Sequence, residues 1–484
     1  MLYIGLDLGT SSTKGLLVDK QGKILKEASR SYNVIYPKEG WTEQNPQDWY
    51  NASYEILKEL SNGIENQIGG ISVGGQMHGL VILDKDDNVI RPAILWNDGR
   101  TEKQTAYLND VVGKENLCKM TANIAFAGFT APKILWVREN EPENFKKIAK
   151  IMLPKDYLVY RLTGAFSTDY SDASGMLLLD VKNKKWSDEM CNICGIDSSM
   201  LPKLYQSYDV VGKVKEEYSL PHAIVTAGAG DNAAAAIGTG TVNDGDCNIS
   251  LGTSGTVFIS SDSFSVDDKN ALHSFAHANG KYHLMGCILS AASCNKWWIE
   301  DILMSKEYEK AVEGMENTLG NNNVYFLPYL AGERSPHNDV NARGAFIGLT
   351  PNTTRAQMSL AVLEGVSFAL RDCVEVAKSN GIAVSSTKIC GGGAKSPLWK
   401  KILANVLSMN VESLKTEQGP AYGAAILAMV GNLEYSSVEE ATKAIVKVDS
   451  ITKPTRELCL KYDNKYEKFK MLYPSLKTFF AKQN

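Results

Sequence analysis

The chain of 484 residues has no surplus of positive charge: 51 Lys and Arg stand against 55 Asp and Glu, for a net charge of −4. Binding to nucleic acid or to an anionic membrane surface calls for a basic patch or stripe, so composition points to neither partner. Neither a basic leader nor an apolar signal stretch precedes the first strand-like run, and a cytoplasmic protein is expected. The nine cysteines are odd in number and scattered, which fits reduced, buried thiols better than a disulfide framework. Cys191-Asn192-Ile193-Cys194 has the spacing of a metal or redox pair, but no second Cys or His pair accompanies it, and no metal site is expected there. No Gly-x-Gly-x-x-Gly opens a helix with a ribose-binding acid downstream, which argues against a nicotinamide-dependent oxidoreductase.

What is present is an ordinary globular composition, 44% hydrophobic and 22% charged, in a chain long enough for two or more cores. One short motif occurs twice, as Ile4-Gly5-Leu6-Asp7-Leu8-Gly9-Thr10-Ser11 and as Ile249-Ser250-Leu251-Gly252-Thr253-Ser254. Each is a strand-like run broken by a Gly-Thr-Ser turn, and each leads into a second run, at residues 14–18 and 255–259. Such turns point backbone N–H groups and hydroxyls one way, which suits them to phosphate oxygens. Only the first copy keeps a carboxylate, Asp7, where the second has Ser250. A cation is therefore expected at the first hairpin alone. One hairpin per half suggests a duplicated fold with a nucleotide in the cleft between the halves.

The run 231–245 begins as a small-residue helix and ends in a Gly-rich link, which places a domain boundary there: domains 1–245 and 246–484. In both halves strand-like runs alternate with amphipathic stretches, as expected of α/β architecture. Helices are predicted over 47–60, 291–303 and 355–379, and strands over 71–74, 93–96 and 324–327. In the tail, Tyr462, Tyr466, Phe469 and Tyr473 share one helical stripe and predict a helix laid over the body.

Four segments carry chemistry. In Gly228-Ala229-Gly230-Asp231-Asn232 a carboxylate follows a Gly-rich turn, where it can face a cleft and take a proton from a hydroxyl; its bland alternative is a helix cap. Gly74-Gly75-Gln76-Met77-His78-Gly79 follows a strand, placing Met77 and His78 at the crevice of an α/β domain. Gly391-Gly392-Gly393-Ala394 runs into Ser396-Pro397, a cap and first helical residue, and can present N–H groups to a phosphate or nucleoside, although it does not match the P-loop pattern. Gly419-Pro420-Ala421-Tyr422-Gly423 reads as a small-residue helix packed beside that glycine loop.

Taken in order, Asp7-Leu8-Gly9-Thr10, Gln76-Met77-His78-Gly79, Gly230-Asp231, Leu251-Gly252-Thr253-Ser254 and Gly391-Gly392-Gly393-Ala394 resemble the FGGY family of carbohydrate kinases. That family has two actin-like, ribonuclease-H-like domains around a cleft. Gly40-Trp41-Thr42-Glu43-Gln44-Asn45-Pro46, Leu95-Trp96-Asn97-Asp98-Gly99-Arg100 and Leu330-Ala331-Gly332-Glu333-Arg334-Ser335-Pro336-His337 are similar to motifs of its D-xylulose-phosphorylating members, and Met77-His78 stands where glycerol kinases carry Arg-Glu. The resemblance implies transfer of phosphate from ATP, with Mg2+, to the C5 hydroxyl of D-xylulose in pentose catabolism. It implies Asp231 as base, Met77, His78 and Asn232 at the sugar, Asp7 at the metal, and Thr10, Ser11 and Lys14 at the transferring phosphoryl group. Thr253, Gly392, Gly393 and Ala394 would meet the nucleotide. Another ketopentose or polyol kinase is the alternative within the class, and a non-catalytic ATP- or sugar-binding protein the alternative outside it. A homodimer is left open.

Overall fold

The computed structural model describes residues 1–267 and 269–482 and contains two large seven-stranded sheets. In the first, the hairpin Leu2–Leu8 and Ser12–Asp19 is extended on one side by the antiparallel strand Ile24–Ser31. On its other side runs the parallel strand Ile68–Gly75, followed by Ile224–Thr226 and the edge strand Val210–Lys213. All eight residues of Ile68–Gly75 are buried, as expected for a parallel strand covered on both faces. The second sheet repeats the plan. Cys247–Leu251 and Gly255–Ser261 form its hairpin, Tyr282–Ile288 its third antiparallel strand, and Ser386–Cys390 and Asn410–Leu414 its parallel pair. With Val448–Thr452 as its antiparallel edge, six strands of the second sheet match six of the first, as the expected duplication requires; His273–Ala276, outside Tyr282–Ile288, has no counterpart. Asp7 pairs with Lys14 one step before the turn of its hairpin, and Ser250 pairs with Thr256 at the matching step of the other.

Local sequence explains the helices that cover these sheets. Asn45 caps helix Pro46–Ser61 by accepting from Gln47 N at 3.1 Å, Pro46 supplies the first turn, and Trp49, Ile56, Leu57 and Leu60 turn inward onto the first sheet. Helix Arg355–Ser379 starts at a reciprocal Thr354/Gln357 capping box and is buried along most of its length. The tail helix Arg456–Phe480 buries Tyr462, Tyr466, Phe469 and Tyr473 in the second core, pinned by a 2.8 Å Lys465–Glu364 ion pair, as its stripe predicts.

Three expectations change. The run 93–96 yields only the short strand Ala93–Ile94, paired with Glu43–Gln44 away from the main sheet. The run 324–327 likewise yields Tyr325–Leu327 in a separate two-stranded sheet. Both pair where a loop neighbour offers hydrogen bonds, and periodicity alone does not say which partner that is. Third, helix Gly419–Gly431 does not lie beside the glycine loop. It crosses back onto the first sheet and packs against helix Asp231–Gly238. Its small residues serve that contact: a Cβ on Gly423 would fall 1.7 Å from Ala234 O, and one on Gly5 would fall 1.9 Å from Ala421 O. No described helix is long and apolar enough to cross a membrane.

Candidate active site

The carboxyl end of strand Leu2–Leu8 and the end of Ile68–Gly75 run side by side, with Asp7 in register with Gly74. Helix Asp231–Gly238 begins next to them, because Ala229–Gly230 pairs with Gly74 and Gly75. Asp7, Met77, His78, Asp231 and Asn232, drawn from three distant segments, thus converge at one cleft edge. The cap of the helix is Gly230; Asp231 is its first residue and does not cap it. Asp231 Oδ1 accepts from Asn232 N at 2.7 Å and from Asn232 Nδ2 at 3.0 Å, while Oδ2 has no partner among the described residues. Burial raises the Asp231 carboxyl from 3.8 to about 6 against those two donors. Asp7 accepts no hydrogen bond among the described residues, and burial plus the nearby Asp231 charge raise it to about 7 despite Lys14. Two carboxyls left without charge compensation at one place suit a divalent cation. No cluster of three or more His, Cys, Asp or Glu placed to hold a metal occurs among the described residues.

His78 has a left-handed backbone, φ 69°, which a non-glycine residue holds only when its surroundings dictate it. Its carbonyl accepts from Lys133 Nζ at 2.8 Å and Thr130 Oγ1 at 3.1 Å. Nδ1 lies 2.8 Å from Gly175 O, an acceptor only, so Nδ1 carries the proton and Nε2 is left as an acceptor. Burial and the Lys133 charge push the imidazole down to about 3, and the ring is neutral. It stacks on Phe129 with centroids 4.7 Å apart. Gly175 allows the approach: a Cβ there would meet the ring at 2.4 Å and Met77 Cε at 3.1 Å. Met77 in turn packs on Gly230, where a Cβ would stand 3.0 Å from its Cγ. An apolar wall and one oriented acceptor therefore stand beside the start of the Asp231 helix.

Thr10 lies at the first turn, its Oγ1 accepting from Trp96 Nε1 at 3.0 Å and donating to Gln76 Oε1 at 3.2 Å. Ser11 beside it is exposed. Lys14 bonds Gln418 Oε1 and pairs with Glu27 at 3.4 Å, so its ammonium is already engaged. The second turn opens on a cavity of about 970 Å³ lined by Gly252, Thr253, Gly392 and Gly393, together with Asn295, Tyr308, Glu309 and Val312. Ala394 is not in that lining; it is buried, and its N–H closes a turn onto Gly391 O at 3.1 Å. Ser396 caps the next helix through Trp399 N.

Sequence reasoning missed several residues of the site. Gln44, quoted only as part of a motif and given no role, joins Thr10 O, Trp49 Nε1 and Gln76 Nε2, and Lys133, a lone polar residue between apolar neighbours, braces His78. Two quoted motifs do signal a contact. Arg100 grips Asp98 through two bonds, 2.8 and 2.7 Å long, pairs with Glu43 at 2.7 Å and lies 3.9 Å over the Trp41 ring. They form one wall behind Thr10.

Comparison with known proteins agrees with this geometry. Residues 2–238 match the N-terminal domain, and residues 247–431 the C-terminal domain, of the FGGY family of carbohydrate kinases. The chain is 39% identical to a xylulose kinase of Bacillus subtilis, over 98% of this chain and 97% of that one. A ligand-bound xylulose kinase and a gluconate kinase, both from Lactobacillus acidophilus, each superpose with a TM-score of 0.95 at 27% identity over the whole of both chains. With two ribonuclease-H-like halves, a carboxylate-bearing hairpin in one of them and both family domains matched in order, the chain belongs to the FGGY family of carbohydrate kinases.

Proposed function

We propose that the protein transfers the γ-phosphoryl group of ATP to the C5 hydroxyl of D-xylulose, giving D-xylulose 5-phosphate and ADP, a step of pentose catabolism in the cytoplasm. The observation that carries this reading is Met77 and neutral His78 brought to the start of the Asp231 helix, an apolar wall and a hydrogen-bond acceptor suited to a polyhydroxy chain. The xylulose kinase relatives support it. Asp231 Oδ2 is the free acceptor that takes the C5 hydroxyl proton, and with its carboxyl at about 6 it is mostly ionised at pH 7. His78 Nε2 accepts from a sugar hydroxyl, Met77 packs on the carbon chain, and Asn232 holds Asp231 in line. Asp7 would hold Mg2+, which neutralises charge on the phosphates when bound. Thr10 and Ser11 border the transferring group from one side, and Lys14 joins them once freed from Gln418. Thr253, Gly392 and Gly393 take the nucleotide from the other side, with Ala394 shaping the turn. In a loose phosphoryl-transfer transition state such positioning and charge neutralisation supply most of the rate.

A coupled ADP-release assay over D-xylulose, D-ribulose, L-ribulose, L-xylulose, glycerol and gluconate tests this. D-xylulose is expected to give the highest kcat/KM. A second reading, a sugar-acid kinase, is favoured by the gluconate kinase likeness and wins if gluconate is turned over better.

A further inference from the structure

A cation from the other half of the chain, Arg334, lies within electrostatic reach of His78. Arg334 follows Glu333, whose Oε1 accepts from Leu289 N at 3.0 Å and from Arg334 N at 2.8 Å. Ser335 next to it exchanges hydrogen bonds with Cys287, N to O at 3.0 Å and N to Oγ at 3.1 Å, so the backbone on both sides of Arg334 is fixed to the second sheet. The guanidinium itself makes no hydrogen bond or ion pair among the described residues. It rests 5.2 Å from the centroid of Phe126, which packs edge-on against Phe129 at 5.4 Å, the ring that stacks on His78. Its charge reaches His78 and His273 and helps to lower both. The adjacent Glu333 carboxyl is pushed by burial up to about 8 and does not neutralise it at pH 7. An arginine held at its backbone and left without a counter-ion is a donor array awaiting acceptors.

We propose that Arg334 recognises the C1–C2 end of the substrate, donating to its carbonyl and hydroxyl oxygens beyond His78, while Asp231 takes the C5 end. This rests on the ketose reading above. The consequence is a site that also admits a five-carbon aldonate, whose carboxylate occupies the place of C1 and pairs with the guanidinium.

The test measures D-xylulose kinetics and competition by D-xylonate for the parent enzyme, R334Q and R334K. D-xylonate should compete with D-xylulose in the parent. R334Q should raise the KM for D-xylulose about tenfold with kcat and the KM for ATP nearly unchanged, and should lose the competition, the loss of one charge-assisted bond. R334K, which keeps the charge without the fork, should retain part of the competition and so separates recognition from misfolding. D-xylulose turnover with no competition by D-xylonate in the parent, or with R334Q competing as well as the parent, overturns the role of Arg334 alone. A lowered kcat at unchanged KM in R334Q overturns it too. Absence of D-xylulose turnover in the parent overturns the ketose reading, and this proposal falls with it.

Discussion

Replacing Asp231 by Asn should move activity and stability in opposite directions. In the fold the carboxyl titrates at about 6 where an unburied one titrates at 3.8. Ionising it inside the protein therefore costs about 3 kcal/mol more than ionising it in the unfolded chain. The sign follows from the raised value: the penalty is absent below 3.8, grows as pH rises, and is complete above about 6. The substituted side chain keeps an amide oxygen for the two Asn232 donors and never ionises, so it escapes the penalty and also removes the like charge that raises Asp7. We expect the melting temperature of Asp231→Asn to rise by a few degrees at pH 8, with the gain fading as pH falls below 6. Loss of the proton acceptor should meanwhile lower kcat about a hundred- to ten-thousandfold. In the parent, kcat/KM should fall about tenfold between pH 7 and pH 5 as Asp231 takes up its proton, and the variant should lack that limb. Scanning calorimetry at pH 5 and pH 8, together with pH–rate profiles, reads all three. A variant that melts lower than the parent at pH 8, or that keeps kcat within a few-fold, refutes the reasoning.

Gly175→Ala places a methyl 2.4 Å from the His78 ring and should raise the D-xylulose KM more than tenfold while sparing the KM for ATP; equal changes in both would disprove local displacement of the imidazole. His78→Ala should weaken D-xylulose by about 1 to 3 kcal/mol through an unpaired hydroxyl, seen by calorimetric titration without nucleotide. Because His78 titrates near 3, sugar affinity should show no inflection attributable to it between pH 5 and pH 8, and a step near 6.5 that disappears in His78→Ala would contradict the assigned tautomer. Asp7→Ala should raise the Mg2+ concentration for half-maximal rate and leave free-sugar affinity nearly intact, checked by a Mg2+ titration of the rate.

What could be read before the structure was chemistry contained within a few consecutive residues. The Gly-Thr-Ser turns, the Ser396-Pro397 helix start and the stripe of Tyr462 to Tyr473 each depend on local backbone preference or helical spacing, and each stands where expected. What escaped depends on pairs far apart in the chain. His78 needs Gly175 O, 97 residues away, and Gln44 needs Gln76, 32 away. No Arg or Lys stands within Gly74-Gly75-Gln76-Met77-His78-Gly79, but folding brings Lys133 to the His78 carbonyl and the Arg334 charge within reach of the ring. Small residues in Gly419–Gly431 announced close packing correctly and their partner wrongly, since Ala and Gly fit many surfaces and name none of them.

That helix changes what counts as a half. Its residues stand between strands Asn410–Leu414 and Val448–Thr452 of the second sheet in the chain, yet they complete the core beneath Tyr3, Leu16 and Val18 at the start of the chain. The two bodies are thus tethered by three passages of the polypeptide: one after Asp231–Gly238, one on the way into Gly419–Gly431, and one on the return to Val448–Thr452. Severing the chain after the first tether would not yield an independent sugar-binding piece, because the fragment 1–245 lacks the helix that closes its own interior.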